Sequence, residues 1–146
     1  MAKKVIIYTD GGARGNPGSA GAGAVVKDES GNNLASLHKS FETLTNNQAE
    51  YEAVILGLFE LKKLFGKDKV KDLDIEVRAD SELIVKQLNG EYQIKELGLH
   101  PYFIKIWNMQ VKDYPKIKFT HIPREKNAEA DALANEAMDG AQSKLL

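Results

Sequence analysis

Two stretches of alternating apolar residues each run into an aspartate, and a long helical pattern lies between them. The first is Lys4-Val5-Ile6-Ile7-Tyr8-Thr9-Asp10, and the second is Leu73-Asp74-Ile75-Glu76-Val77-Arg78-Ala79-Asp80. β-Branched and aromatic residues in runs of this length read as strands, so each strand is expected to end on its aspartate. Between them, Tyr51, Val54, Ile55, Leu58, Leu61 and Phe65 recur at the spacing of one helix face. A helical crossover joins parallel strands, which narrows the possible topologies sharply. If the two strands are neighbours, Asp10 and Asp80 sit at one level about 5 Å apart.

The rest of the chain fits around this pair. Gly11-Gly12-Ala13-Arg14-Gly15-Asn16-Pro17-Gly18 has the residues of tight turns. Gly21–Lys27 reads as a second strand, Asp28–Asn32 as a hairpin turn and Leu34–Phe41 as a third strand, together an antiparallel meander. Thr45-Asn46-Asn47-Gln48 matches a capping box that starts the long helix, with Glu50 early in it and Gly66-Lys67-Asp68 ending it. Ser81 is placed to cap a short helix through Leu88, which Asn89-Gly90 stops. Tyr102, Phe103, Ile106, Trp107, Met109 and Val111 suggest a further helix whose aromatic side, Trp107 included, turns inward. Lys116–Ile122 is the fifth strand, followed by the charged loop Pro123–Lys126. Asn127 is expected to cap a last helix from Ala128 to Met138, ended by Gly140, with a frayed tail over about 141–146.

At 146 residues, with 42% hydrophobic and 28% charged residues, the chain is expected to be a single domain over 1–146 with a real core. No apolar run approaches membrane-spanning length, and Met1-Ala2-Lys3-Lys4 leads straight into a strand, so a cytoplasmic protein is expected. The absence of cysteine excludes disulfides, thiolate zinc sites and thiol nucleophiles. A net charge of −1 is not the footprint of a protein that grips nucleic acid by bulk electrostatics. Any polyanion must be held through local geometry.

Asp10 and Asp80 at strand ends, with Glu50 and Asp131 early in two helices, make four carboxylates at structurally meaningful points. Such a set, without cysteine, suits hard cations that prefer oxygen ligands, Mg²⁺ or Mn²⁺. Paired ions of this kind commonly serve phosphodiester cleavage.

The sequence resembles the ribonuclease H family of the type-one kind, through four motifs in order: Tyr8-Thr9-Asp10-Gly11-Gly12 with Gly15-Asn16-Pro17-Gly18, Thr45-Asn46-Asn47-Gln48-Ala49-Glu50, Ala79-Asp80-Ser81, and Asn127-Ala128-Glu129-Ala130-Asp131-Ala132-Leu133-Ala134. The resemblance implies an α/β ribonuclease H-like fold: a five-stranded mixed sheet, three antiparallel strands then two parallel ones, with helices on both faces. It implies that Asp10, Glu50, Asp80 and Asp131 hold the metal of a two-ion endonuclease cutting the RNA strand of RNA–DNA hybrids to 5′-phosphate and 3′-hydroxyl ends. It further implies that the backbone of Gly11, Gly12 and Ala13, with Asn16, Thr45, Asn46 and Gln48, follows the hybrid, whose 2′-hydroxyls separate RNA from DNA. The protein is expected to act as a monomer without an obligate protein partner.

Two features depart from better-known members. The segment Gly90–His100, where some members carry a basic handle for the hybrid, holds Lys95 against Glu91 and Glu96, so the handle is read as missing. His121 precedes Asp131 by ten residues, the place of a mobile histidine that assists catalysis in many members. Here the loop between is short of glycine and charged, and Arg124 and Glu125 are the other candidates for that work. Two rival readings share the fold: an inactive nucleic-acid-binding module, and another nuclease of the same superfamily. The intact acid set speaks against the first, and the Gly-Asn-Pro-Gly turn with the Asn46-Asn47 pair against the second.

Overall fold

The computed structural model describes residues 3–144. Five strands, β1 (Lys4–Arg14), β2 (Gly18–Asp28), β3 (Asn33–Leu44), β4 (Asp74–Ala79) and β5 (Ile117–His121), form one sheet in the order β3-β2-β1-β4-β5. The helices are α1 (Asn46–Phe65), α2 (Glu82–Leu88), α3 (His100–Lys112) and α4 (Ala128–Ser143). β1 pairs antiparallel with β2, which pairs antiparallel with β3, and β4 and β5 run parallel to β1. The meander followed by two parallel strands is as expected from the sequence.

α1 starts on the expected capping box: the Thr45 hydroxyl accepts from the Gln48 amide at 3.1 Å, and Gln48 Oε1 accepts from the Thr45 amide at 3.0 Å. Its inner face buries Tyr51, Val54, Leu58 and Leu61 against Val5, Ile7 and Ile75. Each large side chain removed from water contributes about 1.5–3 kcal/mol, so this layer carries much of the stability. Tyr51 also donates its hydroxyl to Gln87 Oε1 at 2.9 Å, tying α1 to α2.

α4 covers the opposite face. Paired residues in a sheet share a face, and a Cβ on Gly23, the partner of Asp10, would meet the backbone of α4 2.5 Å away at Ala130 O. Asp10 therefore projects from the α4 side. Gly57 of α1 lies instead against Ile7, one of the residues pointing the other way.

Four sequence expectations need correction. β1 does not end on Asp10: Gly11–Arg14 continue the ladder against Ser19–Ala22, and only Gly15-Asn16-Pro17 form the turn. Glycine is unfavourable in strands, but Gly11 is needed where it stands, because a Cβ there would lie 2.2 Å from the carbonyl oxygen of Ala49 in α1. α4 does not stop at Gly140 but runs to Ser143, since Ala137, Met138 and Ala141 are all buried. Of the expected tail, 141–143 are thus helical, and Leu145 and Leu146 lie outside the described residues. Trp107 is not core: it is 53% exposed on α3, whose fully buried residue is its neighbour Ile106, about 100° around the helix. Asn127 precedes α4 but makes no side-chain cap.

Candidate active site

The parallel register puts Thr9 of β1 opposite Ala79 of β4. Asp10 and Asp80 are the next residue of each segment, so they stand at one level, as the sequence pattern requires. β4 ends at Ala79, and beyond it β1 has no parallel neighbour. There the Gly11 amide donates to Glu50 Oε1, which brings the Glu50 carboxylate from α1 to the two aspartates. Asp10, Glu50 and Asp80 each offer an oxygen within 4.8 Å of the other two.

Asp131, in the first turn of α4, stands outside this trio, near enough for its charge to act on Asp10. Asn127 binds the assembly from below: its Nδ2 donates to Thr9 O at 2.9 Å and to Asp80 Oδ2 at 3.0 Å. The sequence reading missed these contacts. The signal available was an asparagine four residues before an aspartate at a helix start, which reads as a cap.

The cluster is electrostatically loaded. Burial, then the charge of Asp80, push Asp10 up to about 7, and Asp131 adds to the rise while a hydrogen bond from Glu50 opposes it. Burial, and after it the charge and hydrogen bonding of Asp10, raise Glu50 well above the usual carboxylate range despite the Gly11 amide. Three crowded oxygen donors that resist ionising together are satisfied by a hard divalent cation, and the donor set therefore fits such an ion.

The expected nucleic-acid contacts form one band beside the acids. Asn46 Oδ1 accepts from the Ala13 amide at 2.8 Å, and Asn16 Oδ1 accepts from the Asn46 amide at 3.0 Å. These bonds join the β1 extension, the 15–17 turn and the start of α1, with the Thr45–Gln48 box next along. In this structure the amides of Gly11 and Ala13 are engaged by Glu50 and Asn46 and hold the band together. Arg14 is likewise pinned to α4 through Asp139 and Gln142.

His121 is exposed at the end of β5, its Cα paired with Ala79, which places it one strand from Asp80 and outside the carboxylate trio. Arg124 and Glu125 lie in a short 3-10 turn just beyond. Glu91, Lys95 and Glu96 of the handle segment are all exposed, and Glu96 accepts from Asn47 Nδ2 at 2.7 Å, at the edge of the band.

A family model described as reverse transcriptase-like matches residues 8–137, which include all four carboxylates. A solved ribonuclease H1 from a compost metagenome, in complex with an RNA/DNA hybrid, is 52% identical and superposes with a TM-score of 0.90, covering 94% of this chain and 99% of that one. The chain belongs to the type-one ribonuclease H family. A ribonuclease HI of Halobacterium salinarum is 40% identical over 94% of this chain and 66% of its own length. A bifunctional protein of Mycobacterium tuberculosis is 38% identical over 94% of this chain, which spans 36% of that protein. The N-terminal ribonuclease H domain of the mycobacterial protein, solved as a fusion with maltose-binding protein, superposes with a TM-score of 0.88 at 36% identity, covering 99% of this chain and 100% of that one. The chain thus covers about a third of the mycobacterial relative and two thirds of the halobacterial one. Among the described residues no helix is long and apolar enough to cross a membrane.

Proposed function

We propose that this ribonuclease H is an endonuclease that hydrolyses the RNA strand of RNA–DNA hybrids, leaving 5′-phosphate and 3′-hydroxyl ends. The observation that carries the reading is the trio Asp10, Glu50 and Asp80 with oxygens within 4.8 Å of one another, in a fold whose 52%-identical neighbour was solved with a hybrid. Asp10, Glu50, Asp80 and Asp131 would hold Mg²⁺, with Mn²⁺ as a substitute. When bound, the ions supply an activated water and charge stabilisation at the leaving oxygen.

The chain's own residues do the rest. Glu50, held by the Gly11 amide, and Asp80, next after the β4 residue paired with Thr9, stand at the level of Asp10, where the bound ions would receive the scissile phosphate. Asp131, in the first turn of the other helix, adds a fourth negative charge beside Asp10. Asn16, Asn46 and Gln48 use one side-chain oxygen each inside the protein, leaving their amide NH₂ groups to donate to sugar and base edges in the minor groove. Donors in that position favour a strand carrying 2′-hydroxyl acceptors. His121, or Arg124 and Glu125 beside it, would move a proton or help the product leave.

A binding module without activity makes poor use of this cluster, since unneutralised carboxylates repel phosphate. The deciding experiment is cleavage of a uniform hybrid labelled on each strand in turn, with Mg²⁺ or with EDTA, beside matched duplex DNA and duplex RNA. Metal-dependent cutting of the RNA strand alone is expected. Equal cutting of duplex DNA, or activity in EDTA, would overturn the reading.

A further inference from the structure

Asn127 is 1% exposed and touches three of the segments that carry the acids. Its Nδ2 hydrogens go to Thr9 O, the carbonyl just before Asp10, and to Asp80 Oδ2. Its own carbonyl accepts the amide of Asp131 at 3.0 Å, and its amide donates to Arg124 O at 2.9 Å. One residue therefore links the Asp10 strand, the Asp80 carboxylate, the Asp131 helix turn and the loop after His121. Both acceptors facing Nδ2 are oxygens, so the amide has only one tolerable orientation; turned over, Oδ1 would confront a carboxylate and a carbonyl. In the orientation adopted, Oδ1 is buried without a hydrogen-bond partner among the described residues. A side chain that leaves an acceptor unsatisfied in order to donate twice is held for those donations, because an unmade buried bond is unfavourable. A helix cap would have been the ordinary use of this asparagine, and the backbone geometry gives it up.

We infer that Asn127 is a positioning residue for the metal site: by engaging Asp80 Oδ2 it turns Oδ1 of the same carboxylate toward Asp10 and Glu50, and by holding Thr9 and Asp131 it keeps the two aspartates in register with α4. The inference rests on the reading of the carboxylates as metal ligands. Neutral donors behind metal-binding carboxylates orient them, and removing such partners lowers metal affinity or activity by about 10–100-fold.

The test is calorimetric binding of Mn²⁺ and Mg²⁺ to the full chain, without substrate, for the wild type, Asn127→Ala, Asn127→Asp, Asp10→Asn and Asp80→Asn, with circular dichroism and thermal melts of each. Metal affinity of folded Asn127→Ala is expected to fall by about 10–100-fold. Adding Asn127→Ala to Asp80→Asn should lower affinity by less than about 2-fold further, because the partner carboxylate is already gone. A melting point lowered with metal affinity unchanged would show a purely structural asparagine and overturn the inference. If Asn127→Ala and Asn127→Asp fail to fold, the wild type still decides: the Asn127 side-chain NH₂ resonances should exchange slowly and shift on Mg²⁺ titration with the midpoint of metal binding, and resonances indifferent to Mg²⁺ would refute it. Loss of metal binding in Asp10→Asn alongside normal binding in Asn127→Ala defeats the positioning role alone. No metal binding by the wild type defeats the underlying reading instead.

Discussion

Replacing Asp10 by Asn should abolish catalysis and stabilise the protein, and the two effects share one cause. Burial and the neighbouring acids raise Asp10 from 3.8 to about 7, and every tenfold change in a protonation equilibrium corresponds to about 1.4 kcal/mol. Keeping Asp10 ionised above pH 7 without metal therefore costs about 4 kcal/mol, which partial solvent access and screening reduce to about 2–3 kcal/mol. The folded protein retains a proton that the unfolded chain releases near pH 4, so wild-type stability declines as pH climbs from about 4 to about 7. Asparagine does not titrate. The advantage of Asp10→Asn should be absent below pH 4, grow across that window and level off above pH 7, where it corresponds to about 5–10 °C in melting temperature. The assay is urea unfolding of both proteins in EDTA at four pH values from 4 to 8.5, with hybrid cleavage in Mg²⁺ measured on the same preparations. Turnover should drop by at least about 10³-fold if the site is correctly assigned. A variant no more stable than wild type at pH 8, or one whose advantage is the same at every pH, would refute the electrostatic argument, and near-normal cleavage would refute the site.

Because Asp10 and Glu50 hold protons that a cation must displace, Mg²⁺ affinity should strengthen as pH rises from 6 to 8, and calorimetry in buffers of different ionisation enthalpy should detect proton release; pH-independent binding would contradict the raised carboxylates. Gly23→Ala would set a Cβ 2.5 Å from Ala130 O and force α4 outward, so stability should fall by about 1–3 kcal/mol and kcat by about 10–100-fold as Asp131 is displaced, measured by denaturation and steady-state cleavage. Hybrid affinity of the wild type should depend only shallowly on salt, about −0.9 in log–log slope per phosphate contact, while Glu91→Lys with Glu96→Lys should tighten binding and steepen the slope; steep salt dependence of the unaltered protein would contradict the missing handle.

The sheet, the long helix and the places of the three acids on them were all legible in the sequence because they rest on local rules. Period-two runs 4–9 and 74–79, the Thr45–Gln48 box and the helical crossover put Asp10 and Asp80 at strand ends and Glu50 early in the helix, while their meeting in one metal site was implied by the family resemblance. What was not legible depends on contacts distant in sequence. Gly11 and Gly12 read as turn residues because nothing local announces that Ala49 will press on that strand. Gly140 read as a stop because the burial of Ala141 against the sheet side is a tertiary effect that outweighs glycine's weak helix propensity. Trp107 read as core because tryptophan usually is, whereas the helix face is chosen by Ile106 and the partly buried Tyr102, Phe103 and Met109. Asn127 read as a cap, since only the folded chain brings Asp80 and Thr9 within reach of its side chain.

The close seating of both helices on the sheet has a wider meaning for how this protein can change. At Gly11 and Gly23 main chain rests on main chain, so the distances between the segments bearing Glu50, Asp10 and Asp131 are set by hard stops and not by the volume of intervening side chains. Leucine, isoleucine and valine under α1 can therefore be exchanged over generations, raising or lowering stability, while the spacing of the acids stays put. The converse holds at the stops themselves, where one added methyl shifts the gauge of the whole site. Substitution across such a fold should accordingly be least tolerated at a few residues that have no side chain at all.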